Sequence, residues 1–229
     1  MKLLAIETAT EACSAALYID GEVELRYAVQ ARRHSELILP MMEELLAGAG
    51  LTLSGLDALA FGRGPGAFTG VRIATGVVQG AAFAADLPVL PVSTLAALAQ
   101  RCHREQGARQ VLAAYDARMG ELYWGGYQAE AGVMRVMIPD QVATPQDVEL
   151  PRDGLWQGAG TGWAAHGEVL RGRLGPRLGG SSPALYCSAE DVARLAADGW
   201  LRGEAVTAEQ ALPVYLRDQV ASKPASPLT

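Results

Sequence analysis

Three short stretches place acidic, hydroxylated or very small residues at the ends of apolar strands. They are IETAT (residues 6–10), DARMGE (116–121) and GAGTG (158–162). Facing turns of this kind can hold phosphates with backbone N–H groups and hydroxyls, while an adjacent carboxylate orients a metal ion or a water. On that reading Glu7, Thr8, Asp116, Gly158 and Gly160 line a nucleotide cleft between two lobes. Acids and glycines also simply close hairpins. Any one of these turns is explained that way, and only their recurrence in register points to a cleft.

The other glycine-rich stretch, GPGAFTG (64–70), lacks the Gly-Lys-Ser/Thr of a P-loop, and Pro65 removes one N–H that a phosphate cradle would use. Its glycines instead suit a sharp turn into a helix over 71–85. There Gly76, Gly80 and Ala84 recur every four residues and leave a smooth strip on one face. Such a strip admits a second helix closely, either within the chain or from a partner. The helix before it, over about 35 or 40 to 49, carries Leu37, Met41 and Leu45 on one stripe with Ile38, Met42 and Leu46 beside it. That is more apolar face than one core requires. Pro40 implies that this helix begins near Leu39 or has a kinked first turn.

His34 has no second histidine or acidic cluster at metal-ligand spacing. Cys102 and His103 are neighbours on an expected helix and point apart, and Ser14, Ser35 and Ser93 lie in no nucleophile elbow. The residue types therefore offer no catalytic constellation and no metal site, which favours a binding or scaffolding part.

The elements needed to position these residues follow from patterning. Strands are expected over 3–6, 12–19 and 22–30, with Asp20-Gly21 marking a hairpin. A strand over 57–61, the glycine loop, the 71–85 helix and a strand over 88–92 form a β-loop-α-β unit. Ser93 caps a helix over 94–106. A second β-rich half then opens near Gly107 with strands over 111–115 and 121–128, followed by 155–157, GAGTG and a helix over 188–200. The two openings resemble each other and suggest an old duplication.

The chain has 229 residues, half of them hydrophobic, with a net charge of -6, and shows no basic or aromatic stripe of the kind that grips nucleic acid. Cys13, Cys102 and Cys187 are odd in number and widely spaced, which suits a reducing cytoplasm. No apolar run reaches the roughly 18 residues of a membrane span.

Five segments, LAIETATEACSAAL, RRHSE, GRGPGAFTGVRI, AAYDARMGELYW and the late PVYLR (213–217), occur in the order and spacing of the bacterial TsaB family, also called YeaZ, which the chain resembles over nearly its whole length. The resemblance implies the two-lobed α/β fold of the actin/Hsp70-like ATPases (ASKHA). Residues 1–106 would form one lobe and 107–229 the other, with the tail from about 213 free to return to the first. It implies a noncatalytic dimerisation and activating subunit for forming N6-threonylcarbamoyladenosine at position 37 of tRNAs reading codons that start with A. Such a subunit docks on the catalytic TsaD, works with the ATPase TsaE, self-associates as a homodimer through the same helices, and meets tRNA only through the complex. The implied docking residues are Leu37, Met41, Leu45, Val71, Gly76, Gly80 and Phe83. No metal or cofactor is implied, with room left for weak ATP or ADP binding. Glu7 stands where the family commonly has Asp, and Ala67 where it commonly has Ser, which weighs against nucleotide in this chain's own cleft. A stand-alone ATPase or kinase of the same fold, and a peptidase, are the competing classes.

Overall fold

The computed structural model describes residues 1–217. Its first five strands are β1 (Lys2–Glu7), β2 (Ala12–Ile19), β3 (Glu22–Val29), β4 (Ala58–Gly62) and β5 (Val89–Val92). They form one sheet in the order β3-β2-β1-β4-β5. The helices α1 (His34–Gly48), α2 (Phe68–Ala85) and α3 (Thr94–Gln106) are interleaved with them. A second set follows: β6 (Gln110–Arg118), β7 (Glu121–Glu130), β8 (Val133–Ala143), β9 (Trp156–Ala159), α4 (Gly162–Leu174), β10 (Leu178–Ser182) and α5 (Ala189–Leu201). The second sheet runs β10-β9-β6-β7-β8, the same topology with β6 in the place of β1. The duplication that the two openings suggested is therefore carried by the whole strand order. This is the two-lobed actin/Hsp70-like architecture.

In each sheet the first three strands are antiparallel and the last two join in parallel, so a helix must cross over between them. Asp20 and Gly21 both have positive φ, as a two-residue hairpin turn requires. Between the sheets lie α3 and α5. Their faces, including Leu95, Leu98, Val192 and Ala196, pack with Leu3, Ala60, Val111 and Tyr115 into one core. On the outer side of the first sheet, α1 and α2 bury Ile38, Met42, Leu45, Ala74 and Val78 against Leu4, Ile6, Leu59 and Phe61. On the outer side of the second sheet, α4 buries Leu170 and Leu174 beside Trp124, Trp156 and Trp163.

Several boundaries differ from the patterning. The α1 helix starts at His34 and runs through Pro40, because Ile38, Met42 and Leu45 on either side of the proline all anchor to the core. The α2 helix starts at Phe68, three residues early, so Phe68, Thr69 and Gly70 belong to its first turn. Strands β8 and β10 and helix α4 are additions that patterning missed. The segment after α5 returns along the first lobe: Val206 pairs with Val89, and the Val214 N–H donates to the Arg63 carbonyl at 2.8 Å. No helix among the described residues is long and apolar enough to cross a membrane.

Candidate cleft and docking face

The turn between β1 and β2 is the part of the expected cleft that would cradle phosphate, and four of its polar groups have partners within the chain. The Thr8 hydroxyl donates to the Gly70 carbonyl at 2.7 Å, and the Ala9 N–H donates to Glu7 Oε1 at 2.6 Å. The Ala9 carbonyl accepts from the Ala67 N–H at 2.7 Å, and the Thr10 carbonyl accepts from His34 Nε2 at 2.8 Å. Glycines in the GPGAFTG loop permit this closeness. A Cβ on Gly66 would run into the Ala9 carbonyl, and one on Gly70 into that of Thr8. The loop therefore seals the turn.

Glu7 is wholly buried. Its Oε2 accepts from Thr94 Oγ1 at 3.2 Å, and its carboxyl fills the space that a side chain at Gly62 would need. Burial raises its pKa, and the hydrogen bonds from Ala9 and Thr94 only partly oppose that. A carboxyl enclosed by the chain's own groups in this way is not placed to orient a metal or a water. Thr94, Tyr115 and Cys187 complete its surroundings. The Tyr115 hydroxyl accepts from the Cys187 N–H at 3.0 Å, and Thr10 Oγ1 lies 3.8 Å from Cys187 Sγ. Thr94 and Cys187 escaped sequence reasoning because neither stands in a motif; only the fold brings them to the end of β1.

Asp116, at the equivalent end of β6, is partly exposed. It accepts from the Arg118 N–H at 2.8 Å and pairs with the Arg118 guanidinium at 3.1 Å, so it closes its own hairpin. Gly158 is buried where the Trp163 indole passes over it, and Gly160, with positive φ, sits against the Ala114 carbonyl and Leu98. These two glycines make room for α4 and β6. Of the cleft set, Glu7, Thr8, Gly158 and Gly160 are buried in internal packing, and Asp116 alone meets solvent.

Most of the remaining chemical candidates are also occupied. Ser14 Oγ accepts from the Ala189 N–H at 2.9 Å, and Ser93 caps α3 while donating to Asp140 at 2.5 Å. Ser35 is exposed on α1. His103 Nδ1 binds the Ala108 carbonyl at 3.0 Å. Burial pushes the Cys13 thiol to about 11 and Cys102 to about 12, and raises Cys187 well above its usual value. None is a ready nucleophile. Among the described residues no three His, Cys, Asp or Glu gather around a point that could hold a metal.

The outer face of α1 and α2 is different. Gly76 and Gly80 face open space, with no atom within 4 Å of a Cβ on either, so the small-residue strip packs against nothing in its own chain. Phe83 beside it is 77% exposed, and Leu39 on α1 is 50% exposed. Leu37 and Met41 are half-buried at the edge of the core. Leu45 on α1 and Val71 on α2 lie on the inward sides of their helices and are buried in this chain, so they support the docking face from beneath instead of lining its surface. The patterning missed Leu39 and Phe68. The Arg72 guanidinium lies 3.6 Å over the Phe68 ring and donates to the Tyr215 hydroxyl at 2.9 Å, tying the returning tail to α2.

Residues 28–165 match the family described as TsaD, tRNA N6-adenosine threonylcarbamoyltransferase. Over 97% of both chains, the sequence is 44% identical to the tRNA threonylcarbamoyladenosine biosynthesis protein TsaB of Escherichia coli (strain K12). It is 41% identical to the protein of the same description from Haemophilus influenzae, over 97% of this chain and 96% of that one. Among solved structures, YeaZ from Pseudomonas aeruginosa superposes with a TM-score of 0.89 at 54% identity, covering 94% of this chain and 99% of that one.

Proposed function

The chain belongs to the TsaB family, and from that premise we propose that it is a noncatalytic subunit in the formation of N6-threonylcarbamoyladenosine at position 37 of tRNA. It docks on a TsaD-type catalytic subunit through the outer face of α1 and α2, works with a TsaE-type ATPase, and self-associates through the same face when that subunit is absent. The observation that carries this reading is the open Gly76/Gly80 strip, with Phe83 exposed on the same helix and Leu39 exposed on α1. A helix laid on that strip approaches closely, and burial of the flanking apolar side chains from both partners suits a stable interface of about 1,200–2,000 Å². Docking favours the active arrangement of the catalytic subunit through differential affinity, and requires no catalytic group from this chain.

The sealed β1–β2 turn and buried Glu7 support the noncatalytic part. The test is reconstitution of threonylcarbamoyl transfer with the catalytic subunit and ATPase, with and without this chain. Activity is expected to require the chain and to be lost on Phe83→Arg. Undiminished transfer without the chain overturns the reading. So does ATP turnover by the chain alone above about 1 per second that disappears on Asp116→Ala.

A further inference from the structure

The three residues that resemble a phosphate loop hold the starting ends of both helices of the docking face. Thr10 binds His34, the first residue of α1; Ala9 binds Ala67, immediately before α2; and Thr8 binds Gly70 in the first turn of α2. All three turn residues are buried, which limits the access of water to these bonds. The glycines at 66 and 70 bring the helix start against the turn, where any side chain would force it away. A helix rises about 1.5 Å per residue, so Gly76 and Phe83 lie about 9 and 20 Å along α2 from Gly70. A small tilt at the anchored end therefore becomes a larger displacement at the docking end.

We propose that the Thr8-Ala9-Thr10 turn is a positioning device for the docking face, fixing α1 and α2 relative to each other so that Leu39, Gly76, Gly80 and Phe83 present one rigid surface. This rests on the reading that the α1–α2 face receives the TsaD-type subunit. The Thr8 hydroxyl and the Ala9 and Thr10 carbonyls are used within the chain, and a phosphate that took the Thr8 hydroxyl would do so at the expense of its bond to Gly70. Thr8, Thr10 and His34 are positioning residues, since none of them reaches the docking surface itself.

The experiment measures affinity of the full chain for the TsaD-type subunit by titration calorimetry, alongside urea unfolding of the free chain. Thr8→Val, which removes the hydroxyl and keeps the shape, should weaken binding by about 3–10-fold, the range one lost buried hydrogen bond spans. Thr8→Ser, which keeps the hydroxyl, should bind within about twofold of the parent. Ile138→Val, a methyl deletion in the core of the second lobe, lowers stability comparably and should leave affinity unchanged. If Thr8→Val does not fold, His34→Ala carries the same expectation from the α1 side. Phe83→Arg separates the two ideas. If it abolishes binding while Thr8→Val and His34→Ala bind like the parent, the positioning role is overturned and the docking face stands. If Phe83→Arg binds normally, the docking face is wrong and the positioning role falls with it. Equal weakening by Thr8→Val and Ile138→Val also overturns it, since loss of stability alone would then explain both.

Discussion

A carboxyl that is enclosed without a cation has its proton affinity set by desolvation, and Glu7 is such a group. Among the influences on it none is a basic residue, and burial outweighs the Ala9 and Thr94 hydrogen bonds. Its pKa is therefore higher in the fold than in the unfolded chain, where it lies near 4.5. The sign follows from linkage: the fold's advantage is complete below the unfolded value and is lost as pH rises through the folded one. Glu7→Gln removes that loss. Urea unfolding from pH 4 to pH 8 should show the variant gaining on the parent as pH rises, and a parent that gains on the variant instead would mean that Glu7 is ionised and stabilised by its hydrogen bonds. Glu7 and Asp116 were legible in the sequence as matching strand ends, but their roles were not. Gly158 and Gly70 look alike in a motif whether they leave room for a phosphate, for an indole or for a carbonyl. Burial separates these cases, and burial depends on residues such as Trp163 and Thr8 that arrive from elsewhere in the chain.

Among the elements, α2 has one face in the core and one in the open, and Gly76 and Gly80 fall on the open one. Gly80 lies inside the helix with nothing around it, so a larger residue there meets no clash and gains helix propensity. Gly80→Leu should raise the stability of the free chain by about 0.5–1 kcal/mol while abolishing association through this face. The check is chemical unfolding paired with light scattering; lost stability, or intact association, contradicts it. Apolar spacing reveals two adjacent stripes on α1 but not which residues of each turn inward: Leu45 packs in the core, and Leu39, outside both stripes, is exposed. The first hairpin was legible because Asp20-Gly21 is the turn's preferred chemistry. The β7–β8 turn uses Ala131 and Gly132 at the same positive φ, and the alanine gives no such signal, so β8 went unseen. Pro40 misled in the other direction: its local cost is real, but it is outweighed by core contacts on both sides of it.

At the scale of the molecule, the two sheets are joined through α3 and α5, and Arg104 on α3 meets Asp191 on α5 at 2.9 and 3.0 Å. Asp191 is completely buried, and burial pushes its carboxyl to about 6 despite the guanidinium. Arg104→Ala strands that carboxyl and should cost about 3–5 kcal/mol near neutral pH. The deficit should shrink as pH falls toward about 6 and be smallest below it, because without the guanidinium Asp191 takes up its proton at a higher pH than in the parent; a deficit independent of pH would show that lost packing, not lost charge, is responsible. Charge pairing on this scale also bears on tRNA. The chain carries 25 acidic against 19 basic residues. Many of its arginines are already matched, including Arg26 with Glu24 and Glu44, Arg135 with Asp198, Arg194 with Glu190, and Arg217 with Glu121. Phosphate-driven affinity grows with the number of unpaired cations on one face, because each releases counterions from the nucleic acid. The isolated chain should therefore bind tRNA no more tightly than about 10 μM at physiological salt, within the non-specific range. Fluorescence anisotropy with labelled tRNA at 50 and 200 mM salt decides this. Tight binding that collapses between those concentrations would reveal a cationic face that pairing conceals, and would place tRNA directly on this subunit rather than on its partner.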